Sequence, residues 1–238
     1  MKVLTPRVSC LITSHMKPTL RDTLNSVLAQ TRRDFEAVVI DSGQWIGETG
    51  KIPEIMAGIY AEFSGHPLIN WVTTGERPGL PAAVCPVAWA TNRAIEAGLA
   101  RGPYLCTFYD DDLYRPPFME VMAGYLDGHP DDAAVCCAQA RMVLQRDGGT
   151  RAVGEIRSPL PRRMGQFDCQ VDGAMIMFRR ELLDKLPAGQ WLPEDPGGCG
   201  HSDGVFMERL AAAAGIIPGI DEVLCEHRNT PWSTYSPS

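Results

Sequence analysis

Three apolar runs in the first half of the sequence each stop at an oxygen-bearing side chain. Val8-Ser9-Cys10-Leu11-Ile12 stops at Thr13, Phe35-Glu36-Ala37-Val38-Val39-Ile40 at Asp41, and Tyr104-Leu105-Cys106-Thr107-Phe108-Tyr109 at Asp110. Runs this short and this apolar read as buried strands. The segments between them repeat apolar residues at helical spacing: Leu20, Leu24, Val27 and Leu28; Ile55, Ile59 and Phe63; and, after a further strand at Ile69 to Val72, a long helix through Trp89, Ile95 and Leu99. Thr19-Leu20-Arg21-Asp22 predicts a capping-box start for the first of these helices. Strands alternating with helices imply a mostly parallel sheet covered on both faces, with ligands beyond the carboxyl ends of the strands. Thr13, Asp41 and Asp110 all lie at such ends.

The third run leads into Asp110-Asp111-Asp112. Side chains alternate along a strand, so Asp110 and Asp112 share a face while Asp111 points elsewhere. Clustered carboxylates stay ionised when a cation offsets their repulsion, and hard oxygen ligands select Mg²⁺ or Mn²⁺. Such an ion typically neutralises a diphosphate. The competing reading is a strand that ends in a solvated turn, where Asp is common.

With 238 residues the chain can bury a substantial core as one large domain or two small lobes. Its formal net charge of −7 argues against nucleic acid or an anionic membrane surface as partner, since both favour a basic patch. No apolar run approaches the roughly 20 residues of a membrane span, and a soluble, cytoplasmic protein is expected. None of the 8 cysteines is paired at the two-residue gap of a zinc knuckle or redox motif, so buried free thiols are expected.

The second half is less regular. A helix is expected from Phe118 to Leu126, a strand from Ala133 to Ala138, and a mobile Gly-, Arg- and Pro-rich loop from Arg146 to Gly165. A strand over Ala174-Met175-Ile176-Met177-Phe178, a helix to Leu186, a helix from Gly204 to Ala214 and a strand from Val223 to Cys225 complete the reading.

Several pieces in order resemble the family 2 glycosyltransferases of GT-A fold. They are Pro18-x-Leu20 with Leu24-x-Ser26-Val27-Leu28-x-Gln30-Thr31, Asp34-Phe35-Glu36-Ala37-Val38-Val39-Ile40-Asp41, Ala90-Thr91-Asn92 with Ala97-Gly98, and Asp110-Asp111-Asp112 with Pro116. Met177-Phe178-Arg179-Arg180, Ser202-Asp203 with Arg209-Leu210, and His227 extend the match more thinly. The resemblance implies an α/β GT-A fold with a Rossmann-like, mostly parallel central sheet flanked by helices and a smaller acceptor-side lobe. Residues 1–116 would form the nucleotide-sugar-binding lobe and 117–238 the acceptor and catalytic-base lobe of one continuous domain.

The resemblance further implies an inverting, metal-dependent enzyme that moves a sugar from a nucleoside diphosphate sugar, of UDP, GDP or dTDP type, to the hydroxyl of a small or medium acceptor. Asp41 would meet the base, Thr13 and Ser14 the nucleoside, and Asn92, Asp110 and Asp111 would complete the donor site. Asp112, Asp110 and His227 would hold Mg²⁺ or Mn²⁺, and Asp203 would be the catalytic base, with Glu194 and Asp195 as alternative acids. Asp172 is a candidate for acceptor or sugar hydroxyls, Trp191 for the face of a sugar ring, and Arg228 or Arg77 for the diphosphate. Ser42, Cys85 and Ser202 depart from the family's pattern. Two rivals remain at this point: a nucleotidyltransferase of related fold, whose glycine-rich first loop is missing from Thr13-Ser14-His15-Met16-Lys17-Pro18, and a catalytically inactive nucleotide-sugar-binding protein.

Overall fold

The computed structural model describes residues 5–15, 17–41, 54–73, 85–144, 149–157, 171–186, 191 and 202–229. Its first half follows the alternation in the sequence: β1 (Val8–Ser14), α1 (Leu20–Leu28), β2 (Phe35–Asp41), α2 (Glu54–Phe63), β3 (Ile69–Thr73), α3 (Pro86–Glu96) and β4 (Tyr104–Tyr109). These strands lie in the order β3-β2-β1-β4, all parallel. Every residue of β1 and β2 is buried, as expected for central strands with helices on both faces. The register pairs Ser14 with Asp41 and Thr13 with Tyr109, so the carboxyl ends of three strands finish level with one another.

Helix boundaries show where local chemistry yields to tertiary contacts. The capping box expected at Thr19 does not form. Thr19 is already helical at φ −66° and ψ −15°, and its buried hydroxyl has no hydrogen-bond partner among the described residues. A capping side chain needs an extended backbone to reach the free amides. Asp22 instead receives Nη1 of Arg228 at 2.8 Å, a contact that no local pattern reveals. Pro86 opens α3 after the extended Cys85, and Gly98 at φ 67° closes it, so Leu99 falls beyond the helix.

The second half adds β5 (Leu113–Tyr114), α4 (Phe118–Gly128), β6 (Ala134–Leu144), β7 (Thr150–Arg157), β8 (Ile176–Arg179), α5 (Ser202–Ala214) and β9 (Gly219–Asn229), with 3-10 turns at Gly173–Met175 and Arg180–Lys185. The sheet continues β4-β8-β6-β9-β5, with β7 on β6. Here β6 and β9 run parallel while β4–β8, β6–β8, β6–β7 and β5–β9 are antiparallel. Part of the segment read from sequence as a loop, Thr150 to Arg157, is therefore the strand β7. Its first four residues are exposed, so it forms through backbone pairing with β6 and leaves little hydrophobic pattern to detect. The expected strand at Ala174 begins instead as a 3-10 turn, and the expected helix before Leu186 is 3-10 rather than α.

One hydrophobic core runs along both halves. Phe108 stacks on Tyr114 with ring centroids 3.3 Å apart, and Phe118 meets both edge-on. Gln30 fastens α1 to α4 by donating to the Arg115 carbonyl (2.8 Å) and accepting from the Met119 amide (2.9 Å), which gives the Gln30-Thr31 piece a structural use. Cys10, Cys85, Cys106, Cys136, Cys137 and Cys225 are buried free thiols, as expected. No helix among the described residues is long and apolar enough to cross a membrane.

Candidate active site

Two strand registers, carried past their last pairs, assemble the site. In β5–β9, Leu113 faces Glu226 and Tyr114 faces Cys225, so one step further sets Asp112 against His227. In β4–β8 the antiparallel register sets the turn at 172–173 opposite the Asp triplet. Three side chains meet there: Asp112, Asp172 and His227 offer ligand atoms that all lie within 4.8 Å of one another.

The triplet is held rigidly by its backbone. Arg228, itself buried, donates Nε to the Asp111 carbonyl (2.7 Å), and the Thr23 hydroxyl donates to the Asp112 carbonyl (2.8 Å). Arg228 also reaches Asp22 and the Thr19 carbonyl, so its guanidinium ties β9 to α1. Asp172 caps the 3-10 turn, accepting the Ala174 amide on Oδ1 at 3.0 Å, while Oδ2 lies 3.4 Å from Nδ1 of His227. The Thr107 hydroxyl donates to the Gly173 carbonyl at 2.9 Å and fixes this turn against β4. A Cβ on Gly173 would overlap the Tyr109 hydroxyl, so a larger residue there forces the Tyr109 side chain to shift.

The three acids of the triplet have different partners. Asp110 accepts the Ser14 hydroxyl (2.9 Å), the His15 amide (2.7 Å) and the Lys17 amide (3.3 Å) on Oδ2. Lys17 Nζ lies 2.6 Å from Asp111 and 3.4 Å from Asp110. Asp112 pairs by Oδ1 with His227 Nδ1 at 3.0 Å, and its Oδ2 is buried with no hydrogen-bond partner among the described residues. A buried, orphaned carboxylate oxygen beside a second carboxylate and an imidazole is what a divalent cation satisfies. Burial raises the Asp112 carboxyl to about 7, partly offset by His227. Burial alone would lower His227, but the carboxylates of Asp112 and Asp172 outweigh it and lift the imidazole to about 9.

The other sequence candidates border this centre. The Thr13 hydroxyl is 2.7 Å from that of Thr91, which joins the end of β1 to α3 next to the fully buried Asn92. Asp41 is buried at the end of β2 beside Ser14. Asp110 and Asp111 turn toward the loop after β1, leaving Asp112 as the member of the triplet that meets His227. Asp203 lies in the first turn of α5, which packs on the turn that carries Asp172; its side chain is not among the described ones. Ser42, Arg77, Glu194 and Asp195 lie outside the described residues. Trp191 packs on the core and donates Nε1 to the Leu183 carbonyl at 3.1 Å. Sequence reasoning assigned Asp172 to the acceptor and gave Lys17 no role; Asp172-Gly173 ahead of an apolar strand was the available signal.

No protein-family model matches the sequence. Solved structures do. The fold is that of S. aureus TarS. Against TarS 1-349 in complex with UDP-GlcNAc the TM-score is 0.62 at 14% identity, covering 95% of this chain and 60% of that one. Against TarS 1-349 alone it is 0.65 at 15% identity, covering 93% and 60%. In complex with UDP it is 0.63 at 15% identity, covering 94% and 61%. The chain thus spans about three-fifths of TarS 1-349 and has the GT-A-type α/β fold expected from its motifs: a central sheet flanked by helices, parallel over β3-β2-β1-β4 and mixed beyond it.

Proposed function

We propose that this chain is a glycosyltransferase that moves a sugar, with inversion, from a nucleoside diphosphate sugar to the hydroxyl of a small or medium acceptor, assisted by Mn²⁺ or Mg²⁺. The observation that carries the reading is the convergence of Asp112, Asp172 and His227 at the carboxyl ends of the strands, in a fold that in TarS is found with UDP-GlcNAc and UDP. Two carboxylates and an imidazole suit Mn²⁺ better than Mg²⁺, because imidazole is a poor ligand for the harder ion. A cation bound there would stabilise the negative charge that grows on a departing diphosphate.

The protein's own residues supply the rest. Asp41 accepts N–H donors from the base, since a carboxylate only accepts. Thr13, Ser14 and Asn92 border the nucleoside, and the Asp110 carboxylate holds the Ser14 hydroxyl and the backbone amides of His15 and Lys17 beneath it. Asp203, in the first turn of α5, takes the proton of the acceptor hydroxyl as that oxygen attacks the anomeric carbon opposite the diphosphate.

Calorimetry with UDP, UDP-GlcNAc, GDP and dTDP, each with Mn²⁺ and with chelator, tests the reading. At least one diphosphate should bind, and more tightly with the cation. If none binds in a cation-dependent manner, the donor-site assignment fails.

A further inference from the structure

Four carboxylates, those of Asp110, Asp111, Asp112 and Asp172, crowd this region, enough charge for more than one divalent ion. Yet the acids are divided. The Lys17 ammonium, with its side chain 12% exposed, sits within 3.4 Å of Asp110 and 2.6 Å of Asp111. Asp110 is further occupied by three donors, the Ser14 hydroxyl at the end of β1 and the His15 and Lys17 amides of the loop after it. Asp112 alone in the triplet pairs with His227 and keeps an orphaned oxygen.

We propose that Lys17 is a positioning residue that acts as the built-in counter-cation of Asp110 and Asp111, confining divalent metal to the Asp112–Asp172–His227 group and limiting the site to one ion. This rests on the metal-binding reading above. An ammonium is a compact point charge with three donors, so it occupies the room and supplies the charge that a second cation otherwise would. Because its chain position is in the loop after β1, the same contact fastens that loop to the end of β4, which couples the shape of the nucleoside side to the charge of the metal side. A divalent ion bound next to Lys17 meets its positive charge at short range, and removing it should strengthen metal binding.

Titrating Mn²⁺ into the full chain by calorimetry, for the parent, Lys17→Met and Lys17→Arg, tests this. The parent should bind one ion and Lys17→Arg likewise, with affinity within about threefold. Lys17→Met, which keeps the volume and loses the charge, should bind the first ion about tenfold more tightly or take up a second ion. A purely structural Lys17 would leave stoichiometry and affinity untouched while lowering the melting temperature, and that result overturns the inference alone. A parent that binds no ion overturns the metal reading itself. If Lys17→Met does not fold, the charge-balanced double variant Lys17→Met with Asp111→Asn decides: one ion at near-parental affinity supports the inference, and a loss of tenfold or more overturns it.

Discussion

His227 Nδ1 stands 3.0 Å from Asp112 Oδ1, a contact between residues 115 apart in the chain. The pair holds protons that any cation bound there would have to displace, since the imidazole is lifted to about 9 and the carboxyl to about 7.

That gives the metal-free protein a characteristic pH dependence. His227 titrates higher in the folded state than its ordinary 6.5, so its stabilising contribution is full below pH 6.5 and is lost as pH rises through about 9. Asp112, also raised, acts in the same direction between its ordinary value and about 7. In chelator, the free energy of unfolding should fall from pH 6.5 to 9 by at most about 1.4 kcal/mol per pH unit from this one proton, and the melting temperature should fall with it. His227→Gln should flatten the profile; equal slopes in parent and variant would remove His227 as its source.

Asp112→Asn removes the charge that faces His227 at nearly constant shape. Mn²⁺ affinity should drop by a hundredfold or so, of the order that loss of a metal-orienting group produces. The metal-free fold should survive, because the variant no longer buries a carboxylate. Calorimetry and a thermal melt in chelator measure both, and unchanged Mn²⁺ affinity would move the ligand role to another acid.

Asp203→Asn separates a base from a helix cap. As base, its loss should lower sugar transfer by about 10² to 10⁴ while nucleotide and cation binding persist. Asn caps a helix nearly as well as Asp, so near-parental turnover and melting temperature would instead identify a cap.

Gly173→Ala should destabilise the protein by about 1 to 3 kcal/mol, because the new methyl overlaps the Tyr109 hydroxyl in a packed interior. Adding Tyr109→Phe removes the obstructing oxygen and should recover part of the loss. Denaturant unfolding of the two single variants and the double variant checks this, and additive losses would show that the two residues do not interfere.

The first half was legible because its strands are buried on both faces and its helices are amphipathic, so periodicity alone locates β1, β2, β4 and α1. The acids at strand ends were legible for the same reason: once a strand is placed, its carboxyl terminus is too. Other features depend on pairing between distant segments. Asp172 reaches Asp112 only through the β4–β8 register, and β7 exists only because β6 lies beside it. The Thr19 capping box failed because Arg228, far away in sequence, claims Asp22 and the Thr19 carbonyl. Lys17 reads as one more surface lysine until the fold places two carboxylates against it.

Arg228 bonds to Asp111, Asp22 and Thr19, and His227 beside it faces Asp112, so β9 completes contacts whose other halves lie near the start and middle of the chain. During synthesis, at 5 to 20 residues per second, Asp112 emerges roughly 6 to 23 s before His227. Throughout that interval β1 to β4 can pair through short crossovers while the triplet still lacks its imidazole and its guanidinium clamp. The nascent first half is thus a sheet whose Asp112 still waits for its partner, and the pairing of Asp112 with His227 becomes a late event in the life of each molecule, timed by the synthesis of β9.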